Sequence, residues 1–393
     1  MEFRRDFVET LEQRILEPRA FIQIVMGPRQ TGKSTAVKQA LDSIKYAKIV
    51  HVFNRAAANK TKILEDIWRK AREVEATESP VVLSLDEIQL VPEWSSLVKT
   101  LWDEDTRDER DIRVILTGSS SLLIRKGISE SLMGRFEITR STHWSFWECI
   151  QAFDYSLDDF LYFGGYPGAA KLKKYEERWY GYLRDAVIEP TLSIDVLDME
   201  DVRKPALMRA LFEVGASYSC REISYRKLLG QLDDRGNTAT IASYLGHLSQ
   251  AGLLSGLHKY DEKLLETKSS SPRLLVHDTS LMVAASGEDR TTLLEDPDKR
   301  GHLTETAVGA YLLARSQKEH FELFWWRENN KEVDFVVKKG RKRTAIEVKS
   351  GKPKGKSGIC AFLTEYPNTY SITVGTKDFT IEDFLLGKIP LFQ

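Results

Sequence analysis

Over the first half of the chain, short continuous apolar runs alternate with stretches of helical periodicity. Phe21 to Met26, Ile49 to Phe53, Val81 to Leu85 and Arg113 to Thr117 each read as a buried strand, with Asp111 and Gly118 punctuating the last, and a fifth strand is predicted near Phe136 to Ser141. Such alternation predicts an α/β domain built on a largely parallel sheet, spanning residues 1–185. From 186 to 268 the pattern turns helical: Ile223 to Leu232 and Thr238 to Leu248 flank the turn-like Asp233 to Asn237, which fits a helix-turn-helix or winged helix. Ser269 to Pro272 reads as a boundary loop. A third block, 269–393, opens with helix around Leu303 to Ala314 and continues into strands Leu323 to Trp326, Val333 to Val337 and Thr344 to Val348, a second α/β unit.

Composition narrows the class. With 393 residues, 42% hydrophobic and 29% charged, the chain has the make-up of a multidomain globular protein able to bury sizeable cores. Its longest apolar stretches fall far short of the roughly 18 residues a membrane span needs. The acid-interspersed start Met1 to Asp6 lacks the apolar region of a secretory signal, so a cytoplasmic protein with no membrane partner is expected. Cys149, Cys220 and Cys360 are scattered, with no pairing that suggests a zinc ribbon or a disulfide framework. Net charge is −1, but 321–360 carries eleven Lys/Arg against five Asp/Glu, or +6, leaving −7 elsewhere. That local excess is compatible with a polyanion such as DNA, although solvated lysines also produce such runs.

Candidate chemistry concentrates at two places. Gly27-Pro28-Arg29-Gln30-Thr31-Gly32-Lys33-Ser34 satisfies every specified position of the phosphate-binding pattern G-x-x-x-x-G-K-[ST], entered by a strand and left by a helix beginning near Thr35. Backbone N–H groups of that loop and the helix N-terminus favour phosphate; Lys33 should reach the β- and γ-phosphates of ATP and Ser34 should hold Mg2+. The strand Val81 to Leu85 delivers Asp86 and Glu87 to the carboxyl edge of the sheet, where Asp86 would position the metal and Glu87 would polarise the attacking water. Ser119 or Ser120, at the tip of the fourth strand, is the candidate γ-phosphate sensor. In the middle block, Asn237 to Gly252 contains no Lys or Arg and follows Asp233 and Asp234, which argues against groove entry and for a structural role. Tyr244, Leu245 and Leu248 then belong to a core.

Further on, Asp334 and the pair Glu347 and Lys349 sit on consecutive predicted strands with twelve residues between Asp334 and Glu347, about the length of a hairpin. Period-two alternation puts Glu347 and Lys349 on one face, so two carboxylates and an ammonium converge.

The succession GPRQTGKST, LSLDEIQ, VILTGSSSLL, SLMGRFE and FGGYP resembles the prokaryotic AAA-type ATPases that carry a C-terminal domain of unknown function numbered 4143, over nearly the whole chain. The resemblance implies a P-loop ATPase domain, a winged-helix-like middle domain and a C-terminal restriction-endonuclease-like α/β domain. Arg135 matches the arginine that in such ATPases contacts a γ-phosphate, with the sequence leaving open whether it acts in its own subunit or across a homo-oligomer. The C-terminal residues resemble the resolvase-like branch of the PD-(D/E)xK nucleases, in which an acid on a preceding helix completes the set; Glu305 is the match. That resemblance implies Mg2+, or Mn2+, held by Glu305, Asp334 and Glu347, Lys349 supporting the nucleophile, and phosphodiester hydrolysis of DNA. Two functions follow: an ATP-driven switch or motor coupled to metal-dependent DNA cleavage, or a regulatory or scaffolding ATPase whose C-terminal domain only binds a partner.

Overall fold

The computed structural model describes residues 3–118, 131–196, 202, 204–231, 237–263, 271–349 and 357–393. The chain divides into two compact units, Met1–Thr142 and His143–Gln393, and each is described by itself.

The first unit is a five-stranded sheet in the order β2-β3-β4-β1-β5, formed by β1 (Ile22–Met26), β2 (Ala47–Val52), β3 (Val81–Asp86), β4 (Ile112–Thr117) and β5 (Phe136–Arg140). Every pairing is parallel. Parallel strands are covered on both faces, and the alternation along each strand sorts its side chains between two cores. Ile22, Ile24, Leu83, Leu85, Val114 and Leu116 face Leu64 and Trp68 of α3 (Lys60–Glu75) and Val98 and Trp102 of α4 (Trp94–Arg107). On the other side Val25, Val82 and Ile115 pack with Phe7, Val8, Leu11 and Ile15 of α1 (Asp6–Leu16) and Ala36, Val37 and Ala40 of α2 (Lys33–Ser43).

The second unit carries two sheets. β6 (Leu254–Leu257) and β7 (Arg273–Val276) form an antiparallel pair that follows the helices Tyr225–Gln231 and Thr238–Gln250 in the chain. The latter helix buries Ile241, Tyr244, Leu245 and Leu248 and exposes Thr238, Ala239, Ala242 and Ser243, a face without cations. A four-stranded sheet, β11-β10-β9-β8, is built from β8 (Glu322–Glu328), β9 (Lys331–Lys339), β10 (Lys342–Val348) and β11 (Tyr370–Val374), antiparallel except for β10 and β11. Trp325 and Trp326 are buried, and Trp325 Nε1 donates to Leu257 O at 3.1 Å, so both tryptophans are core residues.

The FGGYP run has a steric explanation. The buried Asp278 carboxylate accepts from Gly165 N at 2.7 Å, from Ser280 N at 3.0 Å and from the Ser280 hydroxyl. A Cβ on Gly164, whose φ is +66°, would lie 1.9 Å from Asp278 Oδ1, and one on Gly165 would lie 2.3 Å from Trp144 O. Only glycine lets the backbone come this close.

Candidate functional site

The order of strands decides what meets at the carboxyl edge of the first sheet. β4 lies between β1 and β3, so the loop after β1 and the acids ending β3 sit two strand spacings apart, roughly 10 Å. The first turn of α2 bridges that gap: Ser34 Oγ donates to Asp86 Oδ2 at 2.7 Å. Asp86 Oδ1 accepts from Glu87 N at 2.9 Å and from the hydroxyl of Thr117 at the tip of β4, which fixes the carboxylate from three directions. Glu87 has a left-handed φ of +56°, turning its side chain away from the strand direction, and its Oε2 accepts from Gln89 Nε2. Lys33 Nζ lies over the loop and donates to Gly27 O at 3.0 Å and Pro28 O at 2.6 Å. Gly32, with φ of +87°, makes the turn into α2, and Ser34 and Thr35 are exposed at its start.

Beneath the loop is a buried network that sequence reasoning missed. Arg5 donates through Nη1 to Thr31 O at 3.0 Å, Ser141 Oγ at 3.1 Å and Thr142 O at 3.0 Å. Thr31 Oγ1 lies 3.0 Å from Ser141 Oγ and donates to Pro28 O at 3.0 Å. A Cβ on Gly27 would fall 1.8 Å from Ser141 O, so the first loop glycine is set by the close passage of the chain leaving β5. No local signal marks Arg5, 26 residues from Thr31; Thr117 was within reach, being the polar residue that ends the apolar run Val114 to Leu116.

These donors fit a magnesium nucleotide. A hydroxyl and a carboxylate beside a helix N-terminus and its loop amides supply what Mg2+ takes from protein when phosphates complete its shell. Ser119 and Ser120 lie outside the described residues. Arg135 is not brought to this loop: Ile22 N donates to Arg135 O at 2.8 Å, which puts Arg135 at the amino end of β1, about 16 Å of strand from Gly27. Its guanidinium engages Asp103 through Nε at 2.7 Å and Nη2 at 3.0 Å.

In the second unit, Glu305 comes from the helix Pro297–Glu319, Asp334 from β9 and Glu347 from β10, with Lys349 immediately after it. Glu305 and Asp334 gather around an unforeseen residue, Arg273 at the start of β7, which is 4% exposed. Its Nη2 donates to Glu305 Oε1 and lies 3.8 Å from Asp334 Oδ1; its Nη1 pairs with Glu332 Oε1 at 3.0 Å and donates to Asp334 O at 3.0 Å; its Nε donates to Cys220 O at 2.8 Å. Asp334 Oδ2 accepts from Val348 N at 2.7 Å, and Lys349 Nζ pairs with Glu347 Oε1. Burial pushes the Glu305 carboxyl up to about 8 and that of Asp334 to about 6, in each case against the pull of Arg273.

The expected metal set Glu305, Asp334 and Glu347 does not fit a divalent ion in this arrangement. The oxygens are of the right hard type, but a guanidinium and two further donors already hold them. Among the described residues no group of three or more His, Cys, Asp or Glu side chains is placed to hold a metal ion.

A parallel sheet with a phosphate loop after β1 and an acid pair ending β3 defines an AAA-type P-loop domain. Comparison with known proteins agrees: residues 19–150 match the family model described as an AAA domain, 154–292 a domain of unknown function numbered 8612, and 300–392 the domain of unknown function numbered 4143. The chain thus carries an AAA-type P-loop domain and, C-terminal to it, the domain of unknown function numbered 4143. It is 24% identical to an uncharacterized protein of Methanocaldococcus jannaschii, covering 80% of this chain and 72% of the relative. It is 26% identical to one of Mycobacterium tuberculosis, over 88% and 74%. Among solved structures, AMPPCP-bound DnaA from Aquifex aeolicus aligns with a TM-score of 0.33 at 18% identity, covering 62% of this chain and 86% of that one. The Aeropyrum pernix Orc1 protein in complex with DNA aligns at 0.33 and 10% identity, over 75% and 94%. No described helix is long and apolar enough to cross a membrane.

Proposed function

We propose that the protein is a cytoplasmic ATP-hydrolysing switch whose nucleotide state controls a C-terminal domain that binds a partner. The observation that carries the ATPase reading is the Ser34 to Asp86 contact at 2.7 Å, because it joins the helix that follows the phosphate loop to the acid-bearing strand. In this reading the loop amides and the Lys33 ammonium bind the triphosphate tail. Ser34 and Asp86 hold the magnesium, which when bound neutralises phosphate charge. Glu87, one residue beyond Asp86, orients a water and draws its proton as it attacks. Arg135, paired with Asp103 at the opposite edge of the sheet from the phosphate loop, would in this reading serve a neighbouring subunit's nucleotide, with a homo-oligomer as the proposed active form.

For the C-terminal domain, the engagement of Glu305 and Glu332 by Arg273, with the Asp334 carboxylate beside it, favours binding over Mg2+- or Mn2+-dependent cleavage. DNA is the partner class supported by the turn between β9 and β10, where Lys339, Arg341 and Lys342 are exposed. The test compares wild type and Asp334→Ala on linear, branched and single-stranded DNA with Mg2+ or Mn2+, by cutting and by gel shift. Salt-sensitive binding without cutting is expected. Cleavage abolished by Asp334→Ala would overturn this reading in favour of a nuclease.

A further inference from the structure

We infer that Arg273 is the resident cation of the C-terminal acid cluster and that this cluster binds no divalent metal ion. The inference rests on the reading of that domain as a binding module and goes further, by naming the group that replaces the metal.

A guanidinium has five N–H donors in a fixed plane. Arg273 spends them on Glu305, Glu332, the Asp334 backbone and the Cys220 backbone, with the Asp334 carboxylate also at 3.8 Å. A metal ion bridging Glu305 and Asp334 would need oxygens at about 2.0–2.6 Å on all sides of one point. The guanidinium occupies the space between these two carboxylates, and its fixed positive charge repels a second cation there. Of the carboxylate oxygens of Glu305, Asp334 and Glu347, only Glu347 Oε2 is buried without a hydrogen-bond partner, and one orphan oxygen does not make a coordination shell.

Arg273 is also held from outside the cluster. It lies in β7, its guanidinium sits 5.8 Å from the Phe335 ring, and its side chain is 5% exposed. It comes from the segment 154–292, whereas Glu305, Glu332, Asp334 and Glu347 come from 300–392, so two separately matched segments share one charge cluster. A cation supplied this way is permanent, whereas a bound ion exchanges with solvent.

The experiment is Mn2+ titration of the nucleotide-free full chain, read by the electron paramagnetic resonance of free Mn2+, on wild type, Asp334→Asn, Arg273→Met and the double variant. Wild type and Asp334→Asn should give the same isotherm, since no ion sits at Asp334. Arg273→Met should gain one Mn2+ site at least tenfold tighter than any wild-type site, lost again in the double variant. Should Arg273→Met fail to fold, the comparison of wild type with Asp334→Asn decides alone. A wild-type Mn2+ site removed by Asp334→Asn overturns the inference. If that site appears while DNA is still not cut, the binding-module reading survives; if DNA is cut as well, both fall.

Discussion

Ser34 and Asp86, fifty-two residues apart, are joined by a 2.7 Å hydrogen bond between the first turn of α2 and the tip of β3. The residues proposed to hold magnesium and phosphate are therefore brought together by the fold itself, and substitutions around them should separate binding from turnover. Lys33→Ala should weaken ATP binding at least tenfold, about 1.4 kcal/mol or more. Glu87→Gln should keep affinity close to wild type while turnover falls roughly 10²- to 10⁴-fold. Nucleotide titration and steady-state phosphate release check both, and wild-type turnover in the two variants would refute the assignment.

The loop rests on Arg5, which serves three acceptors contributed by both ends of the first unit. Arg5→Ala strands buried acceptors at about 1–3 kcal/mol each. A drop of several degrees in the unfolding midpoint, together with weaker nucleotide binding, is expected in calorimetry and titration. A midpoint unchanged within a degree would show that the network does not support the loop.

His277 predicts a pH dependence in the second unit. Burial, with the neighbouring His143 adding to it, holds its imidazole down at about 3; Ser255 Oγ lies 2.7 Å from Nε2. An unfolded histidine titrates near 6.5, so below that pH the unfolded chain takes up a proton that the folded one refuses. Stability contributed by the neutral ring is present above about 6.5 and lost as pH falls toward 3, amounting to about 2 kcal/mol between pH 7.5 and 5. Asp278, whose carboxyl burial pushes up, works in the opposite direction, which is why the variant comparison matters. Urea unfolding of wild type and His277→Gln at the two pH values checks this: the difference between pH values should shrink by that amount in the variant, and an equal difference in both proteins would count against it.

Gly165→Ala places a Cβ 2.3 Å from Trp144 O, a backbone atom with little freedom to yield. A loss of about 1–3 kcal/mol is expected, by the cost of overpacking. Thermal unfolding of the purified variant measures it, and a wild-type midpoint would mean that the Asp278 junction relaxes freely.

Much of the fold was legible because periodicity is local. The apolar runs at Val81 to Leu85 and Arg113 to Thr117 became β3 and β4 with ends shifted by one residue, and the helix expected from Thr238 begins at that residue. The phosphate loop was legible for the same reason, all its specified positions being contiguous. What escaped were residues defined by their partners. Arg273 looked like the residue after a boundary loop, and its acids lie 32 to 61 positions away, so no spacing rule links them. Arg135 is of the same kind: its motif places it in sequence and leaves open whose nucleotide it serves, and only the pairing of β5 beside β1 reveals that it stands at the amino end of the sheet.

The seat of the phosphate loop on Arg5, with Phe7, Val8, Leu11 and Ile15 of the same helix filling one core, bears on how the first unit is cut out for study. A fragment trimmed to the matched range 19–150 would discard that helix, strip Phe7, Val8, Leu11 and Ile15 from the core they share with Val25 and Ile115, and remove the brace under Thr31. Inactivity or aggregation of such a fragment would report the missing helix and say nothing about whether the intact protein uses ATP.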